Sequence, residues 1–366
     1  MNSFNIAVFE GDGIGPEIMA PTVQLLNDLA TEDGSFALKF ESLDAGAAHY
    51  AQTGDALPDS SIERARAADA ILLSAMGLPD VRKPDGTELT PQIDIRFELN
   101  LYAGVRPVKI WPGQPTPLSS SWNDDRLQDV DFVLIRESTE GLFAHMHEGV
   151  VTEDDATETM RITRATSEKL FDFSFKLAQQ RAARLGRPGR LTCVDKANVF
   201  RSFAFFRSIF EERAKAFPDI ATDTAYVDAM AMWMVQKPRA WDVMVTENMF
   251  GDILSDLGAA LMGSLGLAPS ADIGDDHAVF QPCHGSAPDI AGKGLANPLA
   301  MILSAAMMLD WLADRHSAAP LAKAARRIED GVGKLLADGS VLTGDLGGSA
   351  NLNDVVSAMR THMDLS

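Results

Sequence analysis

The chain has 366 residues, 46% of them hydrophobic, which is typical of two domains or one large domain with a substantial core. Lys and Arg number 32 against 52 Asp and Glu, so the formal net charge is −20. This balance argues against nucleic acid or an anionic membrane as a general partner. An anionic substrate must therefore be held by a local group of cationic residues.

Cysteine content and hydropathy predict a cytoplasmic protein. The two cysteines, Cys193 and Cys283, are far apart and have no metal-ligand spacing, which argues against a disulfide framework. Residues 1–13 enter a predicted strand almost at once and lack the apolar core of a signal peptide. No apolar run approaches the length needed to cross a bilayer.

The N-terminal third of the chain predicts alternating strands and helices. Gly11, Gly13 and Gly15 fall as G-x-G-x-G, and no acidic residue closes a second strand. We therefore interpret this segment as a tight turn and not as the Rossmann dinucleotide-binding fingerprint. The predicted elements are a strand at 5–9, a helix at 18–29, a helix at 60–69, a strand at 70–74, a surface loop at 81–91, a helix to about 102 and an extended segment from 105.

The rest of the chain continues this alternation, which predicts an α/β protein. Residues 149–161 lack a strong periodicity and are typical of a hairpin or arm. We predict strands at 132–135, 191–194 and 243–245, helices at 164–184, 200–217, 225–235, 252–262 and 298–312, and a helix-turn-helix tail.

Asp252 and Asp256 stand four residues apart on a predicted helix, so both carboxylates project from one face. Like charges at this spacing cost a helix about 0.2–0.5 kcal/mol. Mg²⁺ or Mn²⁺ would turn the repulsion into attraction, because these cations prefer oxygen ligands. The alternative is a first turn enriched in aspartate, which explains Asp252 but not Asp256, one turn deeper among leucines. The spacing leaves both interpretations open.

Three arginines lie at the ends of predicted strands or helices: Arg96, Arg106 and Arg136. A lone arginine is more often a surface ion pair, but three in an acidic protein fit bidentate binding of carboxylates. Lys196 follows a predicted buried strand and can act as a base if desolvation lowers its pKa. Asp228 is a third candidate carboxylate for a metal ion.

Eight segments resemble the NAD(P)-dependent β-decarboxylating dehydrogenases, the family of the isopropylmalate, isocitrate, homoisocitrate, tartrate and D-malate enzymes. The resemblance runs from about Ile6 to Ala358 in the family's order, and two segments, DKANV and YVDAMAM, are most similar to the isopropylmalate branch. The segments are EGDGIGPEI (10–18), R-x4-LYAGVRP (96–107), IRESTEG (135–141), VDKANV (194–199), YVDAMAM (226–232), NMFGDILSD (248–256), GSLGLAPSA (263–271) and HGSAPDIAGKGLANP (284–298).

The resemblance implies a metal site shared between two subunits of a homodimer. Asp252 and Asp256, with Asp228 from the second subunit, would ligate Mg²⁺ or Mn²⁺. Lys196, also from the second subunit, would help to take the substrate's hydroxyl proton while hydride leaves for the nicotinamide. The keto acid formed would then lose CO₂. The three arginines would hold the carboxylates of a 3-substituted malate.

The resemblance also implies a cofactor site and a fold. Asp289 would favour NAD over NADP, because a carboxylate accepts hydrogen bonds from ribose hydroxyls and repels a 2′-phosphate. The fold would be a two-domain, three-layer α/β/α sandwich, not Rossmann. Residues 1–103 and 263–366 would bind the cofactor, and 104–262 would bind substrate and metal and form the dimer, with an arm near 145–162. The other implied cofactor residues are His284, Gly285, Ser286, Ala287, Pro288, Asn297 and Asn198.

Two positions depart from the family's pattern. The loop that follows Arg136 normally ends in a tyrosine that protonates the enol, and here that residue is Phe143. His145 and His147 are candidate substitutes, although loop histidines without a role are more common. In the isopropylmalate branch, leucines one turn before Arg96 receive the isopropyl group. Gln92 and Ile93 take those places here, with Asp94 adjacent, which predicts a more polar pocket for the substrate's tail.

Three functions remain in competition on the sequence. The first is a dehydrogenase that uses NAD and a divalent metal on a 3-isopropylmalate-like 2-hydroxy acid. The second keeps the reaction but changes the substrate to tartrate, D-malate, homoisocitrate or a related acid. The third is a non-catalytic dimer that binds NAD or a metabolite, which Phe143 makes conceivable. A panel of substrates assayed for NADH formation separates the three.

Overall fold

The computed structural model describes residues 2–121 and 127–365, and strands and helices alternate along them. The strands are β1 (Asn2–Phe9), β2 (Phe36–Ser42), β3 (Ala70–Leu73), β4 (Ala103–Lys109), β5 (Asp131–Glu137), β6 (Val150–Val151), β7 (Ala156–Thr157), β8 (Arg190–Asp195), β9 (Ala221–Tyr226), β10 (Val243–Thr246), β11 (Pro269–Ile273) and β12 (Ala278–Pro282). The helices are α1 (Gly15–Asp33), α2 (Ala47–Thr53), α3 (Asp59–Ala67), α4 (Pro91–Glu98), α5 (Leu118–Ser121), α6 (Arg164–Leu185), α7 (Arg201–Ala214), α8 (Val227–Gln236), α9 (Asn248–Met262), α10 (Leu299–His316), α11 (Ala319–Asp338) and α12 (Leu352–His362).

Ten of the strands form one sheet in the order β2-β1-β3-β12-β11-β4-β5-β10-β8-β9. Strand β11 runs antiparallel to both of its neighbours, and β4 and β5 are also antiparallel to each other. All other neighbouring strands are parallel. This order differs from the all-parallel 3-2-1-4-5-6 order of the Rossmann fold, as predicted.

Alternate residues of the sheet enter two separate apolar cores. Ile6 and Val8 of β1 pack in one core together with α1 and α10. Ala7 and Phe9 of the same strand point to the other face and pack in a second core with α3 and α4. Helices therefore cover both faces of the sheet, so the predicted three-layer α/β/α class is confirmed. The predicted domain boundary falls between β11 and β4, which are neighbouring strands in this sheet, and it stays a prediction.

Three local predictions differ from the structure in an informative way. Helix α9 begins at Asn248, four residues before the predicted start at Asp252. Gly251 lies inside the helix because a Cβ there would come within 2.6 Å of the Arg136 side chain, so glycine allows α9 to pack closely on β5. Ala225 was expected to begin a helix but belongs to the edge strand β9, and α8 begins at Val227. Strands β2, β9, β11 and β12 were not predicted.

The glycine-rich turn after β1 and the hairpin both match their predictions. Gly11 and Gly13 have φ of +77° and +59°, and a Cβ on Gly13 would lie 2.0 Å from the Ser286 carbonyl oxygen. The turn therefore needs glycine for its conformation and for its close approach to the loop at 284–288.

Strands β6 and β7 pair antiparallel as an exposed hairpin. Both cysteines are free thiols. None of the helices in the described part of the chain combines the length and apolar character that a membrane span requires.

Candidate active site

A cavity of about 180 Å³ lies over the central strands of the sheet. The end of β3 and the end of β12 form one side of it, and the first turns of α9 form another. It collects six of the residues predicted for substrate and metal, which come from four different elements. These residues are Gln92, Arg96, Arg106, Arg136, Asp252 and Asp256.

Arg96 and Arg106 are held by one buried carboxylate, Asp272. The Nε of Arg96 lies 3.1 Å from Asp272 Oδ2, and Nη2 of Arg106 lies 3.0 Å from Asp272 Oδ1. Arg106 also donates through Nη1 to the Ala271 carbonyl oxygen at 2.8 Å. Arg106 is thus fixed on the sheet, whereas the two terminal nitrogens of Arg96 donate to no residue in 2–121 or 127–365. They are therefore available to a substrate carboxylate.

Arg136 extends from β5 toward the start of α9. Its Nε and Nη2 donate to Asn248 Oδ1 at 2.9 and 2.8 Å, and its Nη1 is paired with Asp252. Burial and the charge of Arg96 lower the pKa of Arg136 to about 10, so the group keeps its charge at neutral pH. The side chain of Arg136 is therefore a fixed positive charge at the wall of the cavity.

Asp252 and Asp256 project into the cavity from α9, as their spacing predicted. Burial and the charge of Asp252 raise the pKa of Asp256. This repulsion is what a divalent cation with oxygen ligands relieves, so the donor set fits Mg²⁺ or Mn²⁺. Within the described residues, no three His, Cys, Asp or Glu side chains are grouped to hold a metal ion. A metal ion bound to this pair would need further ligands from elsewhere.

Several polar atoms at the cavity have no partner among the described residues. Ser74 Oγ, Gln92 Oε1 and His284 Nε2 are buried and make no hydrogen bond there. His284 Nδ1 lies 2.9 Å from the Gly285 carbonyl oxygen, which leaves Nε2 as an acceptor. Buried polar atoms normally have a partner, so a ligand in the cavity would complete these three.

The predicted cofactor loop runs from the cavity to the protein surface. His284 and Gly285 line the cavity, and Ser286 donates a hydrogen bond to the Gly77 carbonyl and accepts one from the Ile14 amide at 2.8 Å. Ala287 has a φ of +37°, in the left-handed region. Pro288 and Asp289 are exposed, and the Asp289 carboxylate makes no hydrogen bond within the described chain.

Asn297 is buried and acts as a support for this region. Its Nδ2 donates to Asp345 Oδ2 at 3.0 Å, and its Oδ1 accepts from the Leu299 amide at 3.0 Å. The second bond satisfies a free amide at the start of α10. Asn297 therefore fixes the helix that follows the cofactor loop.

Lys196, Asn198 and Asp228 do not line the cavity. Lys196 follows β8 and Asp228 lies in the first turn of α8, so both are near the far edge of the sheet. Lys196 Nζ lies 2.5 Å from Asp228 Oδ1, and Asn198 is exposed. The hydrogen bond from Lys196 lowers the pKa of Asp228.

Phe143 and Ile93 lie outside the residues that line the cavity. The Phe143 ring packs against Arg136, whose guanidinium carbon is 5.2 Å from the ring centroid. His145 Nδ1 is 2.9 Å from Glu148 Oε2, and His147 is exposed. Among the described residues, neither of these two candidate proton donors makes a hydrogen bond to an arginine or aspartate of the cavity.

The sequence analysis did not identify Asp272, Gln281, Ser74 and Ser255. Asp272 directly follows the GSLGLAPSA segment, and Gln281 lies three residues before HGSAPDIAG, so each adjoins a segment that was identified. A charged residue inside a short apolar strand is the signal that could have pointed to Asp272, because a buried charge needs a partner.

A family model described as "Isocitrate/isopropylmalate dehydrogenase" matches residues 5–361 of the chain. The chain belongs to this family. The predicted class, an oxidoreductase of the decarboxylating dehydrogenase type, is therefore confirmed. A 3-isopropylmalate/3-methylmalate dehydrogenase of Methanocaldococcus jannaschii is 41% identical over 347 residues, which are 94% of this chain and 95% of that protein. A 3-isopropylmalate dehydrogenase of Aquifex aeolicus is 41% identical over 85% of this chain and 84% of its own length.

Solved structures of the family have the same overall fold. An isocitrate dehydrogenase from Methylococcus capsulatus superimposes with a TM-score of 0.82 at 36% identity, covering 99% of both chains. A β-decarboxylating dehydrogenase from Thermococcus kodakarensis reaches 0.79 at 33% identity, covering 99% of this chain and 96% of that one. The family therefore includes members that are named for different substrates, so family membership by itself leaves the substrate of this chain open.

Proposed function

We propose that this protein catalyses the NAD- and Mg²⁺- or Mn²⁺-dependent oxidative decarboxylation of a 3-substituted malate, with 3-isopropylmalate as the nearest named substrate. The cavity that collects three arginines and two aspartates carries this proposal. Guanidinium groups bind carboxylates in a bidentate way, and paired carboxylates bind a hard divalent cation. The site thus has complementary groups for both parts of a 2-hydroxy dicarboxylate.

Each residue of the cavity has a distinct role in this proposal. The free terminal nitrogens of Arg96 bind one carboxylate, and Arg106 and Arg136 orient the other. Asp252 and Asp256 hold the cation. When bound, the cation would stabilise negative charge on the substrate oxygen, and NAD would accept the hydride. His284 and Gly285 bind the cofactor where it enters the cavity, and Asp289 contacts the cofactor's ribose.

The active form is a homodimer in this proposal. Lys196 and Asp228 do not line the cavity of their own chain, yet the reaction needs a base for the hydroxyl proton and the metal needs a third ligand. Lys196 of the partner subunit takes the proton, and Asp228 of the partner subunit completes the metal site. Several large apolar side chains that follow Lys196 or lie on α8 and α9 are exposed and suit a subunit interface: Val199, Phe200, Met232, Val235 and Ile253. We place the enzyme in the cytoplasm.

A second substrate class is favoured by Gln92. The buried Oε1 of this side chain lacks a partner among the described residues, although it lines the cavity. A substrate tail with a hydroxyl group would donate to it, whereas an isopropyl tail would leave it unsatisfied at a cost of about 1–3 kcal/mol. Tartrate carries such a hydroxyl on C3, so Gln92 favours it as the alternative to 3-isopropylmalate.

The decisive experiment is a panel of 2-hydroxy acids assayed for NADH and CO₂ formation with Mg²⁺ and with Mn²⁺. We expect turnover of at least one 3-substituted malate, its loss in EDTA and its return with Mn²⁺. Asp256→Asn should abolish turnover, and Asp330→Asn, the same change at an exposed position of α11, should leave it intact. Full activity in excess EDTA contradicts the metal site, and no turnover of any substrate contradicts the proposed reaction.

A further inference from the structure

Asp272 is a fully buried carboxylate at the centre of the arginine cluster. Beyond its pairs with Arg96 and Arg106, it accepts a hydrogen bond from Gln281 Nε2 at 2.7 Å and lies 3.3 Å from Ser138 Oγ. All four partners are buried. The position therefore holds a negative charge that solvent does not screen.

This carboxylate is ionised at neutral pH. Burial by itself raises the pKa of Asp272, but the charges of Arg106 and Arg96 outweigh burial and hold the pKa at about 2. The neutral amide of Gln281 beside it donates a hydrogen bond and adds no second negative charge. Asp272 thus contributes one full negative charge to the cluster.

The net charge of the cavity distinguishes substrates by their own charge. Its three arginines are balanced by Asp252, Asp256 and Asp272, so its net positive charge would come from a divalent cation and from the nicotinamide ring of NAD⁺, and that charge would be one unit higher without Asp272. The paired Lys196 and Asp228 of the partner subunit add no net charge. The negative charge of Asp272 repels every carboxylate of a substrate, so a substrate with three carboxylates loses more binding energy to it than a substrate with two.

We propose that Asp272 is a specificity-determining residue that makes the site select dianionic 2-hydroxy acids over trianionic ones. Asp272 acts through Arg96 and Arg106, so it is a positioning residue and not a catalytic one. The inference rests on the proposed function and narrows its substrate class. It separates 3-alkylmalates, D-malate and tartrate, which carry two carboxylates, from isocitrate and homoisocitrate, which carry three.

The contact between Asp272 and Gln281 provides a series of variants with graded charge. Asp272→Asn removes one negative charge, Gln281→Glu adds one, and the double variant Asp272→Asn/Gln281→Glu exchanges amide and carboxylate at unchanged net charge. The measured quantity is the ratio of kcat/KM for 3-isopropylmalate to that for isocitrate. The ratio should be largest for Gln281→Glu, intermediate and similar for the wild type and the double variant, and smallest for Asp272→Asn.

We expect the ratio to fall at least about tenfold in Asp272→Asn, a change of ~1.4 kcal/mol in relative transition-state binding. An unchanged ratio in Asp272→Asn overturns the inference, as does a wild-type preference for isocitrate. A double variant with the same ratio as Asp272→Asn also overturns the inference, because the position of the carboxylate and not the net charge would then determine the substrate preference. Gln281→Glu keeps the carboxylate that Arg96 and Arg106 need, so it tests the charge effect even if Asp272→Asn does not fold.

A binding experiment separates this inference from the proposed reaction. Calorimetric titration of the dimer with Mg²⁺ at pH 8 uses two unreactive acids, glutarate as a dianion and tricarballylate as a trianion. The wild type should bind glutarate more tightly, and Asp272→Asn should shift the preference toward tricarballylate. The same order of affinities in both proteins overturns the role of Asp272. Absence of turnover with every substrate defeats the proposed function and leaves this measurement valid.

Discussion

Lys196 Nζ lies 2.5 Å from Asp228 Oδ1, and this pair does not line the cavity that holds the arginines of the same chain. The Asp228 side chain is 68% exposed. We propose Lys196 as a base and Asp228 as a metal ligand, and their position together at an exposed edge suits a site that is completed by a second subunit. The pair and the cavity would then be the two halves of one active site.

Mixing two inactive variants tests this shared site. Asp256→Asn damages the cavity half and Lys196→Ala damages the other half. In a dimer that contains one chain of each, one site carries both changes and the other carries neither. After unfolding and refolding of an equal mixture, about a quarter of the wild-type activity should return, because half of the dimers are mixed and each has one intact site.

Either variant refolded alone is the control and should stay inactive. Sedimentation of the two refolded variants and of the refolded mixture should show dimers in each of the three samples. If the mixture stays inactive while the dimers exchange subunits, the site lies within one chain and the shared site is wrong.

The exposed Asp289 carboxylate predicts a preference for NAD. It has no hydrogen-bond partner among the described residues, so it is available for the ribose hydroxyls, and it would repel a 2′-phosphate. We expect kcat/KM for NAD to exceed that for NADP at least about tenfold, or ~1.4 kcal/mol. Asp289→Asn should lower the ratio of kcat/KM for NAD to kcat/KM for NADP, and Asp330→Asn should leave this ratio unchanged. Equal use of NAD and NADP by the wild type would contradict the contact between Asp289 and the ribose of the cofactor.

The strands that could be predicted from the sequence are the ones with continuous apolar runs. Strands β3, β5 and β10 lie inside the sheet with both faces covered, and such strands consist of consecutive apolar residues. Strand β9 lies at the edge, and its sequence ATDTAY contains three consecutive polar residues and no apolar run. Strand β11 contains an aspartate that is compatible with a strand only because of its tertiary partners. Propensity therefore could not identify either of them.

The site shows the same limit. The spacing of Asp252 and Asp256 suggested a metal pair, since the helix alone fixes their relation. The family resemblance indicated which arginines converge. Asp272 could not be found in this way, because its partners Arg96 and Arg106 are 176 and 166 residues away in the chain. Its burial and charge become meaningful only when β11 is placed beside β4.

Glu137 predicts an unusual pH dependence of stability. Although it accepts hydrogen bonds from the Thr139 amide and hydroxyl and from the Glu140 amide, burial raises its pKa from 4.5 to about 7. The folded protein therefore keeps a proton that the unfolded chain loses near pH 4.5. Its contribution to stability is present below about pH 4.5 and is lost as the pH rises to about 7, up to about 3 kcal/mol.

The measurement is the free energy of unfolding in urea at pH 5, 6, 7 and 8. Glu137→Gln lacks the titrating group, so the stability of the wild type relative to this variant should fall across the range. Glu63→Gln, a change at an exposed site on α3, should follow the wild type at every pH. Parallel curves for the wild type and Glu137→Gln would show that Glu137 titrates normally.

The last prediction concerns Phe143, at the position where the family resemblance implies a tyrosine that donates a proton. The ring packs 5.2 Å from the guanidinium carbon of Arg136, so a hydroxyl added to it would lie close to the site's charged groups. His145 is paired with Glu148 and His147 is exposed, and within the described chain neither makes a hydrogen bond to the arginines or aspartates of the cavity. Hydride transfer does not use this proton, whereas protonation of the enol after loss of CO₂ does.

We therefore expect the wild type to form NADH faster than it releases the final keto acid, so that keto-acid release lags behind NADH formation. Phe143→Tyr should remove this lag. General acid catalysis typically contributes ~10²–10⁴-fold, so the gain should be large and confined to the step after decarboxylation. His145→Ala and His147→Ala serve as controls and should leave both rates nearly unchanged. The rates are followed in one reaction by NADH absorbance and by quenched sampling of the keto acid. A lag that appears only in His145→Ala or His147→Ala would identify that histidine as the native donor and contradict the expectation drawn from its position.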